Sequence, residues 1–92
     1  MPNILQYEPA KDKEPEKRAA QNDLIGEQVM RALGTPVDLL KVQVKSIGGL
    51  RYRVNVLVGA HAGSARVSNS YFIVADDDGR LISATPAIKK QY

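Results

Sequence analysis

Cysteine and tryptophan are absent from this chain of 92 residues, and aromatic side chains are few, with one phenylalanine and four tyrosines. Small proteins that work outside the cell often depend on disulfide bonds, so the lack of cysteine favours a reducing compartment. With so few aromatic rings, the core must consist mainly of Val, Leu, Ile and Ala. A chain of this length forms one domain with a modest core.

Long hydrophobic runs are also absent. No stretch approaches the roughly 20 apolar residues of a membrane span, and residues 1–9 have neither the basic segment nor the apolar run of a signal peptide. We therefore expect a cytoplasmic protein with no membrane partner. The formal net charge is +3, and because residues 1–18 hold four basic and four acidic side chains, the excess lies in residues 19–92.

The N-terminal third predicts a tail followed by a helix. Residues 1–13 read as a flexible tail in which Ile4, Leu5 and Tyr7 are either part of a frayed terminus or an arm that docks on the body or on a partner. The helix should begin near Pro15 and end before Gly34, which precedes a helix-blocking Thr-Pro pair. Its apolar stripe has helical spacing and consists of Ile25, Val29, Ala32 and Leu33.

The rest of the chain predicts four strands, at about residues 37–46, 50–60, 65–75 and 80–88. Alternation places Leu40, Val42 and Val44 on one face of the first strand, and it places Tyr52, Val54, Val56 and Val58 on one face of the second. Residues 71–74 are apolar on both faces, which favours a third strand that is either central in the sheet or covered on both sides. We therefore expect an α+β fold, one helix on a curled four-stranded antiparallel sheet, over residues 14–92.

The hairpin registers follow from matching apolar faces. A two-residue turn at Gly48-Gly49 would set Val44 opposite Arg53, so a loop of odd length is expected, with three residues and Gly49 in the left-handed conformation. For the second hairpin, residues 76–79 form an Asp-rich turn that ends in Gly. Two registers remain open there: one pairs Ile73 with Ala84, and the other aligns Phe72 and Val74 with Ala84 and Ile82.

A helix followed by an antiparallel meander resembles the cystatin-like fold. The segments 52–56, 70–76 and 79–82 (YRVNV, SYFIVAD and GRLI) also resemble PepSY-type modules, in which a strand runs into an Asp-rich turn ending in Gly. The ending, residues 83–88, is similar to that of short uncharacterised bacterial proteins. The cystatin resemblance implies, as a remote alternative, a protease-inhibitor-like module. The inhibitory hairpin would be residues 46–50, SIGGL, where cystatins have Gln-Val-Val-Ala-Gly.

The histidine, aspartate and serine residues of this sequence do not form a recognisable catalytic or metal-binding motif. His61, the single histidine, lies in a Gly/Ala loop without a neighbouring carboxylate. An EF-hand reading of Asp76, Asp77 and Asp78 fails because the first ligand position would be Val74. The serines have no adjacent base. We expect no catalytic residue, no metal and no cofactor.

Two features of the face opposite the helix suggest function. Lys41, Lys45, Arg51 and Arg53 project from the same side, with Gln43 and Asn55 among them, and predict a site for an anionic ligand or nucleic acid, or a solubilising surface. Either Tyr71 or Phe72 would lie beside them and stack on a base.

The second feature is an apolar patch on the same face. Leu39, Leu57 and Phe72, with Ile47 near the rim, predict a homodimer or protein-partner interface. The sequence alone favours a small non-enzymatic binding or protein-interaction module that can form a homodimer. The alternative is a binder of an anionic ligand or nucleic acid.

Overall fold

The computed structural model describes residues 15–92, with side chains from Ala20 onward, so the predicted tail at 1–13 lies outside the described residues. Four strands form one open antiparallel sheet in the order β1-β2-β3-β4, and the helix packs against one of its faces. The predicted α+β arrangement is confirmed. Over the described part of the chain, no helix combines the length and apolarity needed to cross a bilayer. The elements are α1 (Pro15–Leu33), β1 (Leu39–Gly48), β2 (Arg51–Val58), β3 (Arg66–Ala75) and β4 (Leu81–Thr85).

The core lies between α1 and the sheet face toward it, which we call the inner face. Strand β2 alternates as predicted, with its four apolar inner-face residues buried and its Arg and Asn side chains on the opposite, outer face. Complete burial of an aliphatic side chain contributes about 1.5–3 kcal/mol, so these positions hold the domain together. The buried core consists of Ile25, Val29, Leu33, Tyr52, Val54, Val56, Val58, Tyr71, Ile73 and Ala75.

The helix is turned slightly from the orientation that its apolar stripe predicts. Gly26 is buried, and a Cβ at this position would lie 3.3 Å from Val44 Cγ2, so the missing side chain lets α1 approach β1 closely. The buried stripe includes Gly26, while Ala32, predicted to be buried, lies exposed at its margin.

Both hairpin registers fall within the predicted set. Val42 pairs with Val56 and Val44 with Val54. The turn has two residues instead of the predicted three, but Ile47 is an extra, unpaired residue of β1, and this extra residue keeps the valines in register. Gly49 has a φ of 58°, the left-handed conformation expected there. In the second hairpin Ile73 pairs with Ala84, and β3 is the central strand between β2 and β4.

The start of β1 differs from the predicted alternation. Leu39 pairs with Val58 and Lys41 pairs with Leu57, so Leu40 is the extra residue of a β-bulge. The bulge reverses the facing of the two leucines. Leu39 packs against the core and Leu40 is exposed. Leu39 was therefore wrongly predicted as an outer-face interface residue, and Leu40 was wrongly predicted on the inner face.

Gln28 fastens the helix to the β3–β4 turn. Its side-chain Nε2 donates to the carbonyl oxygen of Gly79 at 2.6 Å, and its Oε1 accepts from the backbone N–H of Leu81 at 3.1 Å. Both partners lie more than 50 residues away along the chain. The half-buried side-chain amide of Gln28 thus provides hydrogen-bond partners for one backbone carbonyl and one backbone N–H at the end of the sheet.

Replacing Gln28 by Ala is expected to lower the free energy of unfolding by about 2 kcal/mol, because two backbone groups of the turn lose their partner. For a domain of this size, that corresponds to a fall in Tm of roughly 10 °C in a thermal melt. Gln21→Ala is the control. Its single bond, to the carbonyl oxygen of Asp77, is long at 3.4 Å and exposed, and a fall in Tm equal to that of Gln28→Ala would refute the assignment.

Candidate binding face

Four basic side chains come together on the outer face of the sheet. All four are exposed, as the sequence predicts, and Lys45 lies directly opposite Arg53 on the neighbouring strand. Along a strand, residues two apart are separated by about 7 Å and residues four apart by about 14 Å. The charges therefore form a band over β1 and β2, which we call the basic strip: Lys41, Lys45, Arg51 and Arg53.

The positive charge of the outer face is not neutralised by acidic residues of the sheet. None of the four strands contains an Asp or a Glu. The acidic residues within the described range belong to the helix, to Asp38 in the turn before β1 and to the turn of residues 76–78. Like charges on one face of a sheet whose strands contain no acidic residue produce a positive potential that attracts anions.

A chain of hydrogen bonds crosses the centre of the outer face. Ser70 Oγ donates to Asn55 Oδ1 at 2.7 Å, and Asn55 Nδ2 donates to Gln43 Oε1 at 3.2 Å. Arg53 Nη1 donates to Ser70 Oγ at 3.4 Å. The NH₂ groups of Gln43 and Asn55 have N–H hydrogens beyond the one that this chain uses, so the polar row can donate to an acceptor-rich or anionic partner.

Apolar side chains occupy the part of the outer face next to the basic strip. Phe72 lies opposite Arg53, so the aromatic residue beside the basic residues is Phe72 and not Tyr71, which is buried in the core. Leu57 also lies on this face as predicted, whereas Leu39 does not. Two valines were missed by the sequence reasoning, and the set that we call the apolar strip is Leu57, Val67, Phe72 and Val74.

The remaining candidate residues have local structural roles. His61 caps the short 3-10 turn Ala62–Ser64, and its Nδ1 accepts from the backbone N–H of Gly63 at 3.2 Å. Asp76 Oδ1 accepts from the backbone N–H groups of Asp78 and Arg80, each at 2.9 Å, and so closes the β3–β4 turn. Among the side chains that the structure describes, from Ala20 onward, no three His, Asp or Glu residues are grouped to hold a metal ion.

Comparison with known proteins identifies no relative, since no protein-family model, no curated protein and no solved structure matches the chain. The geometry of the outer face is therefore the guide to what the protein binds.

Proposed function

We propose that the protein is a small non-enzymatic binding module of the cytoplasm that takes a polyanionic ligand on the outer face of its sheet. The observation that carries this proposal is the basic strip, four exposed cations on one side of a sheet whose strands contain no acidic residue. The polar row supports it, because the NH₂ groups of Gln43 and Asn55 retain N–H hydrogens that can be donated to an anion.

The bulge at Leu40 gives a reason to favour a polyanion over a protein interface. With Leu39 turned into the core, the predicted apolar patch loses one of its members. Val67 and Val74 join it, but Leu57, Phe72 and Val74 are half-buried, so Val67 is the one well-exposed residue of the apolar strip. The basic strip keeps all of its members. We therefore place the ligand-binding role first and protein interaction second.

Binding is expected to weaken steeply with salt. Each contact between a cation and a phosphate of a single strand contributes about −0.7 to the slope of log K against log salt, so four contacts predict a slope of about −3. Between 0.1 and 0.5 M salt the affinity should fall about 100-fold. Sedimentation with a fluorescent single-stranded oligonucleotide at these two concentrations measures it. Binding that survives 0.5 M salt unchanged, or no binding at 0.1 M, contradicts the proposal.

The second candidate is a homodimer or a complex with an unknown protein through the edge of the sheet. The observation in its favour is that β1 is a ten-residue edge strand whose Val42 and Val44 are only half-buried. The same sedimentation experiment separates the two candidates. A dimer that persists at both salt concentrations and does not bind the oligonucleotide favours the protein-interaction candidate.

A further inference from the structure

The outer face is divided lengthwise into two different halves. The basic strip runs over β1 and β2, and the apolar strip lies over the end of β2 and over β3. The polar row of Gln43, Asn55 and Ser70 runs across the strands and interrupts both strips. A ligand that covers the whole face must therefore be charged along one side and apolar along the other.

We infer that the ligand is single-stranded nucleic acid, with its backbone along the basic strip and a base stacked on Phe72; this inference rests on the proposed function. A single strand exposes phosphates on one side and the faces of its bases on the other. A duplex hides the base faces between two charged backbones, and a linear polyphosphate has no apolar side. Neither complements an amphipathic face.

The position of Phe72 fits the role of a stacking platform. It lies opposite Arg53, and paired strands are about 4.8 Å apart, so a base on the ring has its own backbone within reach of the guanidinium group. Val74, which lies opposite Arg51, repeats the same apolar-basic pairing one step further along the strands. The other aromatic residues of β2 and β3, Tyr52 and Tyr71, are buried on the inner face.

The direct test compares two probes of equal length and charge by fluorescence anisotropy at 0.1 M salt. One is a 12-nucleotide thymidine oligomer, and the other is the same backbone with abasic sites in place of the bases. The thymidine oligomer is expected to bind at least about tenfold more tightly, because stacking of a single base on an aromatic ring has about this effect.

A variant then tests whether the Phe72 ring causes the difference in affinity between the two probes. Phe72→Leu keeps an apolar side chain, so it is expected to remain folded by circular dichroism, to lose most of the preference for thymidine, and to bind the abasic probe as the wild type does. Tyr92→Leu is the matched control. Tyr92 is 45% exposed, and its hydroxyl contacts Asn69, which pairs with the inner-face residue Val56. The Tyr92→Leu protein should bind both probes as the wild type does.

The outcomes separate this inference from the proposed function. If both probes bind equally and lose affinity with salt, the polyanion site stands and the nucleic-acid inference is overturned. A duplex or a Glu-rich peptide that binds more tightly than the thymidine oligomer also overturns it. If no probe binds at 0.1 M salt, both the inference and the proposed function fail. The comparison of the two probes on the wild-type protein tests the inference even if the Phe72→Leu protein does not fold.

Discussion

Val56→Asp is expected to leave the chain unfolded in water at room temperature. Val56 is fully buried in the middle of β2, between Val42 on β1 and Asn69 on β3. A carboxylate there would be an unpaired buried charge, which costs several kcal/mol. Since a chain of this length has roughly 5–14 kcal/mol of stability, the substitution removes most or all of it. Far-ultraviolet circular dichroism and urea unfolding measure the result.

The matched control introduces the same charge one residue earlier. Asn55 lies on the outer face, so Asn55→Asp should cost no more than about 1 kcal/mol, because the new carboxylate can still accept from Ser70 Oγ and faces basic neighbours. A cooperatively folded Val56→Asp protein, or an Asn55→Asp protein that unfolds instead, would show that the two faces of β2 are inverted.

The double variant Arg51→Gln, Arg53→Gln is expected to lose most of the binding to a single-stranded oligonucleotide. Two of the four phosphate contacts disappear, so the slope of log K against log salt should shrink from about −3 to about −1.4. Both side chains are exposed, so the free energy of unfolding should change by less than about 1 kcal/mol. Anisotropy titrations at several salt concentrations give the affinity and the slope together.

The control for this variant removes the same number of charges elsewhere. Arg31 lies in the last turn of the helix and Arg80 follows the β3–β4 turn, and both are exposed. The protein with Arg31→Gln and Arg80→Gln has the same net charge as the first variant. If the two double variants lose affinity equally, binding depends on net charge alone and the basic strip has no special role.

The inner face of the sheet could be predicted because it depends on local alternation. Strand β2 has an apolar residue at every second position, and only one facing buries all of them. The four cations follow from the same alternation, since they occupy the positions between the apolar ones. The left-handed turn at Gly49 was also predictable, because glycine adopts a positive φ without steric cost.

The features that were missed depend on partners distant in sequence. The adjacent leucines 39 and 40 break the alternation of β1, which is compatible with a bulge. Which of the two faces inward depends on the pairing with β2. Gln28 carries no local sign that its partners are Gly79 and Leu81. The polar row likewise needs the register of three strands before Asn55 meets Ser70.

The central claim is that the outer face is the binding surface, and side-chain resonances test it most directly. In a titration of nitrogen-15-labelled protein with the thymidine oligomer, the arginine Nε–H and the Asn and Gln amide signals report on each face separately. We predict that the signals of Arg51, Arg53, Gln43 and Asn55 shift, while those of the helix-side groups Arg31 and Gln28 stay in place. Shifts confined to Arg31 and Gln28, with the outer-face signals unmoved, would contradict the account.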